Sequence, residues 1–460
     1  MSAPIPAPIR VLPTLNADGT RRLIRPKLYP GRWYKARRAV AVLLLVLFAV
    51  LPFLRMNGKP LVLLDVPRRE FVLFGHTFLP TDGVLLMLLL LSIFVGIFWI
   101  TALVGRAWCG WACPQTVYME FVFRPIERWL EGDGHTRDRS RLPARLRRGL
   151  KYALFGVLSV GVGNVFLAYF VGVDALSTWV TRSPLEHPAP FLVMGVTAGL
   201  VFLDFAWFRE QMCTVICPYA RLQSVLLDQR SLIVGYDVRR GEPRSVGKAK
   251  PGSGDCIDCN ACVKACPTGI DIRQGLQLEC IACTQCMDAC DSIMHRIEKP
   301  PGLIRLASQL TLERGGKARL FRPRVVIYPL VLIALLSALF FTASTRGDAE
   351  ITVLRGLSAP FVSDAAGVRN QIRIKVKNRS GQAHAYRIEL VGLPGAQLIA
   401  PENPLRLAAG QQQTTTVFVL APESAFSRGK RDVGFRISDG VKFSEIAPYK
   451  LLGPKSNTGK

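Results

Sequence analysis

The sequence predicts a mixed fold: a polytopic α-helical membrane protein of five transmembrane helices, a cysteine-rich insert between the fourth and fifth, and a β-sandwich at the C-terminal end. Three observations predict it. Five long, nearly chargeless apolar runs each approach the roughly 20 residues that cross hydrocarbon. Eight of the 12 cysteines fall in two short runs of the same spacing. Past residue 350 the texture alternates apolar with polar residues. With half of the 460 residues hydrophobic and a fifth charged, disorder and fibrous repeats are excluded.

Residues 1–38 are basic and rich in Pro and Arg, and are expected to run extended over the headgroups. The apolar runs follow at Ala39–Leu54, Gly83–Val104, Tyr152–Val173, Pro188–Phe208 and Val325–Ala343. They are continuous rather than alternating, so they read as helices and not as barrel strands, the two forms that satisfy a backbone in lipid. The net charge of +26 is unevenly spread. Residues 1–38, 105–151 and 209–324 hold nine, ten and eighteen Lys/Arg, whereas the alternate loops 55–81 and 174–187 hold four and one. Basic loops stay in the cytoplasm, so the N-terminus and the cysteine-rich segment are expected on the cytoplasmic side and the last domain outside. The surplus is thus an orientation signal, and no nucleic-acid partner is expected. The first apolar run lacks the small-residue site of a cleavable signal peptide. The expected organisation is a basic segment 1–38, a four-helix region 39–208, a cytoplasmic segment 209–323 with its cysteine domain at about 250–300, a fifth helix 324–345 and an outer domain 346–460.

All twelve cysteines lie in or beside segments assigned to the cytoplasm, where structural disulfides are disfavoured and metal or redox chemistry is the better expectation. One run is Cys256, Cys259, Cys262 and Cys266 followed by Pro267; the other is Cys280, Cys283, Cys286 and Cys290 followed by Asp291. In C-x2-C-x2-C-x3-C, three thiolates wrap three corners of a cubane and the fourth reaches across to the other cluster. Cys256, Cys259, Cys262 and Cys290 are expected to bind one [4Fe–4S] cluster, and Cys280, Cys283, Cys286 and Cys266 a second, in a ferredoxin-like 2[4Fe–4S] domain that moves single electrons. A pair of zinc sites is the competing reading, but zinc does not require this doubled pattern.

The other four cysteines form two CxxxCP motifs, Cys109/Cys113/Pro114 after the second span and Cys213/Cys217/Pro218 after the fourth, offset by 104 residues. This reads as a repeat of two spans ending at the membrane boundary. Cysteines four apart share a helix face, so the motifs would bring four thiols together if the second and fourth spans pack side by side. Four soft sulfurs suit Cu(I), an iron–sulfur cluster or reversible dithiol chemistry; the blander alternative is small apolar residues filling a helix interface. Among weaker signals, Asp204 in the fourth span is read as a packing hydrogen bond before a proton relay. Gly195 and Gly199 permit close helix approach. His76 and His187 are read as solvated loop histidines, and His295 flanks the second run without an assigned role. Strands are expected around Ile372–Val376, Arg387–Leu390, Thr416–Val419 and Val433–Ile437, forming a cysteine-free sandwich of ~100 residues, immunoglobulin-like in class.

The chain resembles the FixG/RdxA/CcoG family of membrane-bound cytochrome oxidase accessory proteins. The resemblance is carried by 108–117 (WCGWACPQTV), 124–133 (RPIERWLEGD), 209–224 (REQMCTVICPYARLQS), 232–244 (LIVGYDVRRGEPR), the doubled cysteine runs and 266–273 (CPTGIDIR). It implies a cupric reductase that passes electrons to Cu(II), as substrate or bound ion, and delivers Cu(I) for the copper centre of a cbb-type cytochrome c oxidase. Cys109, Cys113, Cys213 and Cys217 would then be the catalytic, copper-handling thiols. The implied partners are the lipid bilayer, a cytoplasmic electron donor, and the oxidase catalytic subunit or a copper chaperone or transporter; a homo-oligomer is compatible with this. An electron-transfer component linked to quinol or ferredoxin, as in relatives that share only the CxxxCP element, and a non-redox copper carrier or scaffold are the alternatives.

Overall fold

The computed structural model describes residues 13–16, 18, 20–56, 58–66, 70–74, 76–78, 83–132, 143–247, 252–316, 322–345, 347–364, 367–380, 382–408 and 410–454. Residues 133–142, the first 12 residues of the basic segment and the side chain of His76 lie outside them. The chain forms two compact units, Met1–Leu339 and Phe340–Lys460.

Five helices are long and apolar enough to cross a membrane: Arg32–Phe53, Gly83–Val104, Ala144–Val171, Pro188–Phe208 and Pro323–Ser344. Two start well before the apolar runs that predict them. The first takes in Arg32, Lys35, Arg37 and Arg38, and the third Arg145, Arg147, Arg148 and Lys151. Long basic side chains lie along a helix while their charged ends reach water or a partner, so a helix continues past the hydrocarbon that its composition marks. The fourth span packs along the third, where Gly163 gives so little room that an added Cβ would sit 3.3 Å from the Ala198 nitrogen. Around Gly195 and Gly199 no described atom comes that near, so the GxxxG pair is not the point of close approach. The loop after the first span, read from sequence only as a connection, contains a three-stranded antiparallel sheet of Val62–Asp65, Glu70–Leu73 and His76–Phe78.

The cysteine-rich segment is framed by one antiparallel strand pair, Leu232–Tyr236 with Ile304–Ser308. The pairing brings the two ends of the segment side by side, and the cysteine loops fold out between them. Val234, Tyr236, Ile270, Ile272, Leu303 and Ile304 close an apolar core around those loops.

The second unit is a two-sheet antiparallel sandwich. One sheet runs Gln397–Ile399, Gln412–Ala421, Gly367–Asn378, Ala349–Arg355; the other runs Leu405–Leu407, His384–Val391, Lys430–Ser438, Ser444–Leu452. All four segments expected from alternation are strands, and their inward residues, among them Ile372, Ile374, Val376, Val417, Val419, Phe435 and Ile437, are fully buried. With period-two side chains, one face of each strand meets the opposing sheet and the other meets solvent. Asn378, completely buried, donates to three backbone carbonyls and accepts from the Tyr386 hydroxyl at 3.2 Å.

Candidate functional site

Both cysteine runs fold through the same backbone device. Asp258 and Asn260 in the first, and Ala282 and Thr284 at the equivalent positions of the second, all have positive φ, between 49° and 64°. Such left-handed turns make successive N–H groups face a concavity, the arrangement that receives anionic metal clusters. Short helices follow at Ala261–Lys264 and Gln285–Arg296.

Two cavities result. An outer one of about 350 Å³ is lined by Cys256, Cys259, Cys262 and Cys290. An inner one of about 340 Å³ is lined by Cys266, Cys280, Cys283 and Cys286, with Cys262 on the wall towards the outer cavity. Among the described residues no three His, Cys, Asp or Glu side chains converge tightly enough to hold a single ion. The thiols surround open space instead, which suits a cluster with iron at several corners better than one tetrahedral zinc. Burial pushes Cys262, Cys283 and Cys290 up to about 12 and Cys280 to about 11. As free thiols they are neutral at physiological pH, so a metal that binds them must displace their protons. Cys259 is exposed, which gives the outer cavity an edge at the surface.

The inner cavity abuts the first CxxxCP motif. Cys109 packs on Ile281 and Cys283. Gly110 makes this possible: a Cβ there would lie 2.5 Å from the Ile281 carbonyl oxygen and 2.8 Å from Cys283 Cα. Arg37, from the start of the first span, donates through Nε to the Gly110 carbonyl at 2.6 Å and through Nη1 to the Cys283 carbonyl at 3.5 Å. Arg106, just past the second span, donates to the Leu278 carbonyl. Burial raises Cys109, and the Arg106 charge beside it pulls the other way.

The two motifs come together, though not through one shared helix face. Proline disfavours helical geometry in the residue before it. Accordingly Cys113 and Cys217 are extended, with ψ of 126° and 111°, and the helix breaks at each. Each becomes the N-cap of the following helix, Pro114–Tyr118 or Pro218–Leu226. The second and fourth spans are not joined by side-by-side packing; the contact is a reciprocal exchange at the boundary. Gln223, beyond the second motif, donates to Thr101 of the second span at 3.0 Å and to Tyr219 at 2.8 Å, and accepts from the Cys109 thiol at 3.0 Å. Gln115, beyond the first motif, donates to Asp204 of the fourth span at 3.1 Å and to the Arg209 carbonyl at 3.2 Å. Asp204 is therefore a packing acceptor. Cys213 is pushed up to about 12 by burial, reinforced by the charges of Cys113, Cys109 and Cys217, so all four sulfurs lie within electrostatic reach of one another.

Beside Cys213 lies a cavity of about 280 Å³ whose wall includes Gln115, Arg124, Arg209, Glu210 and Thr268. Its charges are paired and buried. Arg124 bonds Glu120 and lies 3.4 Å from Glu210, and Arg209 makes a bidentate pair with Glu127 at 2.9 and 2.7 Å. Arg124 also donates to the Pro267 carbonyl at 3.3 Å, tying this network to the first cysteine run.

Residues 208–309 match the family described as "4Fe-4S dicluster domain", residues 86–132 the "4Fe-4S binding domain", and residues 339–454 the "IG-like fold at C-terminal of FixG". The chain is 32% identical to "Nitrogen fixation protein FixG" of Rhizobium meliloti, over 89% of this chain and 88% of that one. The chain belongs to the FixG family. Two further members, "Protein RdxA" and "Protein RdxB" of Cereibacter sphaeroides, are 33% and 32% identical over 82% and 89% of this chain and 83% and 91% of theirs. This FixG-family chain is a membrane-associated iron–sulfur electron-transfer protein. The 86–132 match spans Cys109 and Cys113, and the 208–309 match begins ahead of Cys213, so both CxxxCP motifs lie inside iron–sulfur family regions.

Sequence reasoning passed over Arg37, Arg106 and Gln223. Arg37 and Arg106 are signalled only by position, flanking apolar spans where basic residues are common, and Gln223 only by lying six residues past Cys217 inside the 209–224 stretch that carries the resemblance.

Proposed function

We propose that this FixG-family protein reduces Cu(II) to Cu(I) for assembly of the copper centre of a cbb-type cytochrome c oxidase. The observation that carries the reading is the direct packing of Cys109 on Ile281 and Cys283, which joins the membrane-edge thiols to the inner cysteine cavity. Cys256, Cys259, Cys262 and Cys290 would hold one [4Fe–4S] cluster and Cys266, Cys280, Cys283 and Cys286 the other. When bound, these clusters supply one-electron carriers. Cys259, at the surface, gives a cytoplasmic donor its point of approach. Cys109, Cys113, Cys213 and Cys217 receive the copper: Cu(II) takes one electron, and the Cu(I) formed prefers their sulfur over the nitrogen and oxygen ligands that suit Cu(II).

In this reading residues 1–38 and 209–323 are cytoplasmic, 39–208 and 324–345 embedded, and 346–460 periplasmic, where the sandwich meets the oxidase subunit or a copper carrier. The exposed Trp108, Trp129 and Trp207 around the CxxxCP motifs support a position at the lipid–water boundary, where tryptophan concentrates. A second reading, an electron-transfer component whose four membrane thiols hold a resident iron–sulfur centre, is favoured by the 86–132 family match.

One preparation separates them. Anaerobically purified chain is assayed for iron, acid-labile sulfide and Cu(II) reduction, beside a variant with Cys109, Cys113, Cys213 and Cys217 all changed to Ala. The proposal expects iron for two clusters in both and copper reduction only in the first. Undiminished copper reduction by the variant sinks it, and iron that falls by a third centre's worth supports the second reading.

A further inference from the structure

Two buried guanidinium groups stand between the inner cavity and the membrane thiols. Arg37 is 1% exposed and Arg106 4%. Among the described residues four other cations are buried, and each pairs with a carboxylate: Arg124 with Glu120 and Glu210, Arg209 with Glu127, Lys151 with Glu131, and Arg322 with Asp228. Arg37 and Arg106 have no such partner of their own: the buried Glu120, which feels the Arg37 charge, is bonded to Arg124. Among the described residues Arg37 donates to the carbonyls of Gly110 and Cys283, Arg106 donates to the carbonyl of Leu278 and reaches the Cys109 sulfur, and neither makes an ion pair. A buried cation lacking a counter-charge is strongly disfavoured. Sulfurs stand where they can balance the remaining charge: Arg37 acts on Cys283, and Arg106 on Cys280 and Cys109. As thiols these are neutral. As thiolates holding a centre, they carry the missing charge.

The outer cavity is built differently. Its cation, Arg273, is cancelled by Asp258 and by Asp271 at 2.7 Å. Reduction adds one negative charge to a cluster, so a fixed, uncancelled cation nearby favours the reduced form, whereas a neutralised one has little effect.

We propose that Arg37 and Arg106 are the fixed counter-charges of the centre that Cys266, Cys280, Cys283 and Cys286 would hold, and that they set its reduction potential above that of the outer centre. This rests on the proposed ligand sets and deepens them by giving the relay a direction. One electron leaves the outer centre, which is oxidised, and enters the inner one, which is reduced, with no proton or bond exchanged. Both arginines are positioning residues; they act through the charge they hold beside the cysteines.

The test is a mediated redox titration followed by EPR on the purified full chain in lipid nanodiscs, without donor protein or copper. Cys283→Ser identifies the inner signal. The inner centre is expected to titrate at the higher potential. Arg37→Gln and Arg106→Gln are each expected to lower it by about tenfold in equilibrium constant, about 59 mV for a one-electron couple, and to leave the outer centre alone. Arg→Lys at either position retains the charge and is expected to retain most of the potential. An inner centre below the outer one in the unaltered chain overturns the proposal even where a Gln variant fails to assemble, as does an equal shift in Lys and Gln variants, or none. Iron and sulfide short of two clusters would instead sink the ligand sets. Correctly ordered potentials in a chain that reduces no copper would sink only the copper reading.

Discussion

At Gly110 the absence of a side chain decides whether two loops meet. Gly110→Ala must push the Ile281–Cys283 loop away from Cys109, because both obstructing groups are backbone. Overpacking of this kind costs ~1–3 kcal/mol. The expected outcome is a lower unfolding midpoint together with, on the proposed function, slowed Cu(II) reduction, read on samples matched for iron content. Gln223→Leu is the polar counterpart. It removes the acceptor of the Cys109 thiol and the donor to Thr101 and Tyr219 in a fully buried position, at ~1–3 kcal/mol for the groups left unsatisfied. Gln223→Glu, which keeps an acceptor for Cys109, is expected to fall between Leu and the unaltered chain in a thermal melt. These residues mark the edge of what the sequence reveals. The cysteines are legible because their spacing is the chemistry. Gly110, Gln223, Arg37 and Arg106 are not, because, the neighbouring Tyr219 of Gln223 aside, their partners lie between 73 and 246 residues away along the chain, many of them backbone atoms with no sequence identity.

At the scale of elements, the first span begins on Gly31, which has no side chain to cap it. The carboxylate of Asp288, on the helix carrying Cys286 and Cys290, takes that role by accepting from Trp33 N at 3.2 Å and Tyr34 N at 2.7 Å. A carboxylate there also meets the positive end of the helix dipole. Asp288→Ala is expected to cost ~0.5–2 kcal/mol in a thermal melt, and Asp288→Asn less, since one acceptor oxygen survives. The spans and strands were readable from composition and alternation, down to Ile372, Ile374 and Val376 on one inward face. The helix breaks at Cys113 and Cys217 are equally implicit in the prolines that follow them. A continuous helix would have set each pair of thiols on one face. The proline break instead places Cys113 and Cys217 at helix starts, with Thr116 and Gln115 amides easing Cys113 against its burial.

For the whole molecule, the division into two compact units has a thermodynamic consequence. Metal-held sites couple binding to folding, and the sandwich contains no cysteine. Anaerobic removal of iron by a chelator is expected to abolish the cooperative unfolding of the first unit while a separate transition of residues 340–460 persists. Calorimetry before and after chelation checks this, and one merged transition that vanishes entirely would contradict it. Which spans exist could be read from the sequence; which spans touch could not. The third and fourth meet at Gly163 and Ala198, small residues in helices that have many, and nothing in their order distinguishes that pair from Gly195 and Gly199.

The stretch ahead of the first span is woven into parts of the chain made much later. Ile24 N donates to Glu210 at 3.4 Å, Arg25 pairs with Glu131 at 2.6 Å, and Lys27 N donates to the Lys264 carbonyl at 2.8 Å. Those partners leave the ribosome more than a hundred, and in one case more than two hundred, residues afterwards. Residues 24–27 can therefore be seated only stepwise during synthesis, Arg25 once Glu131 has emerged, Ile24 once Glu210 has, and Lys27 last, when Lys264 of the first cysteine run has been translated.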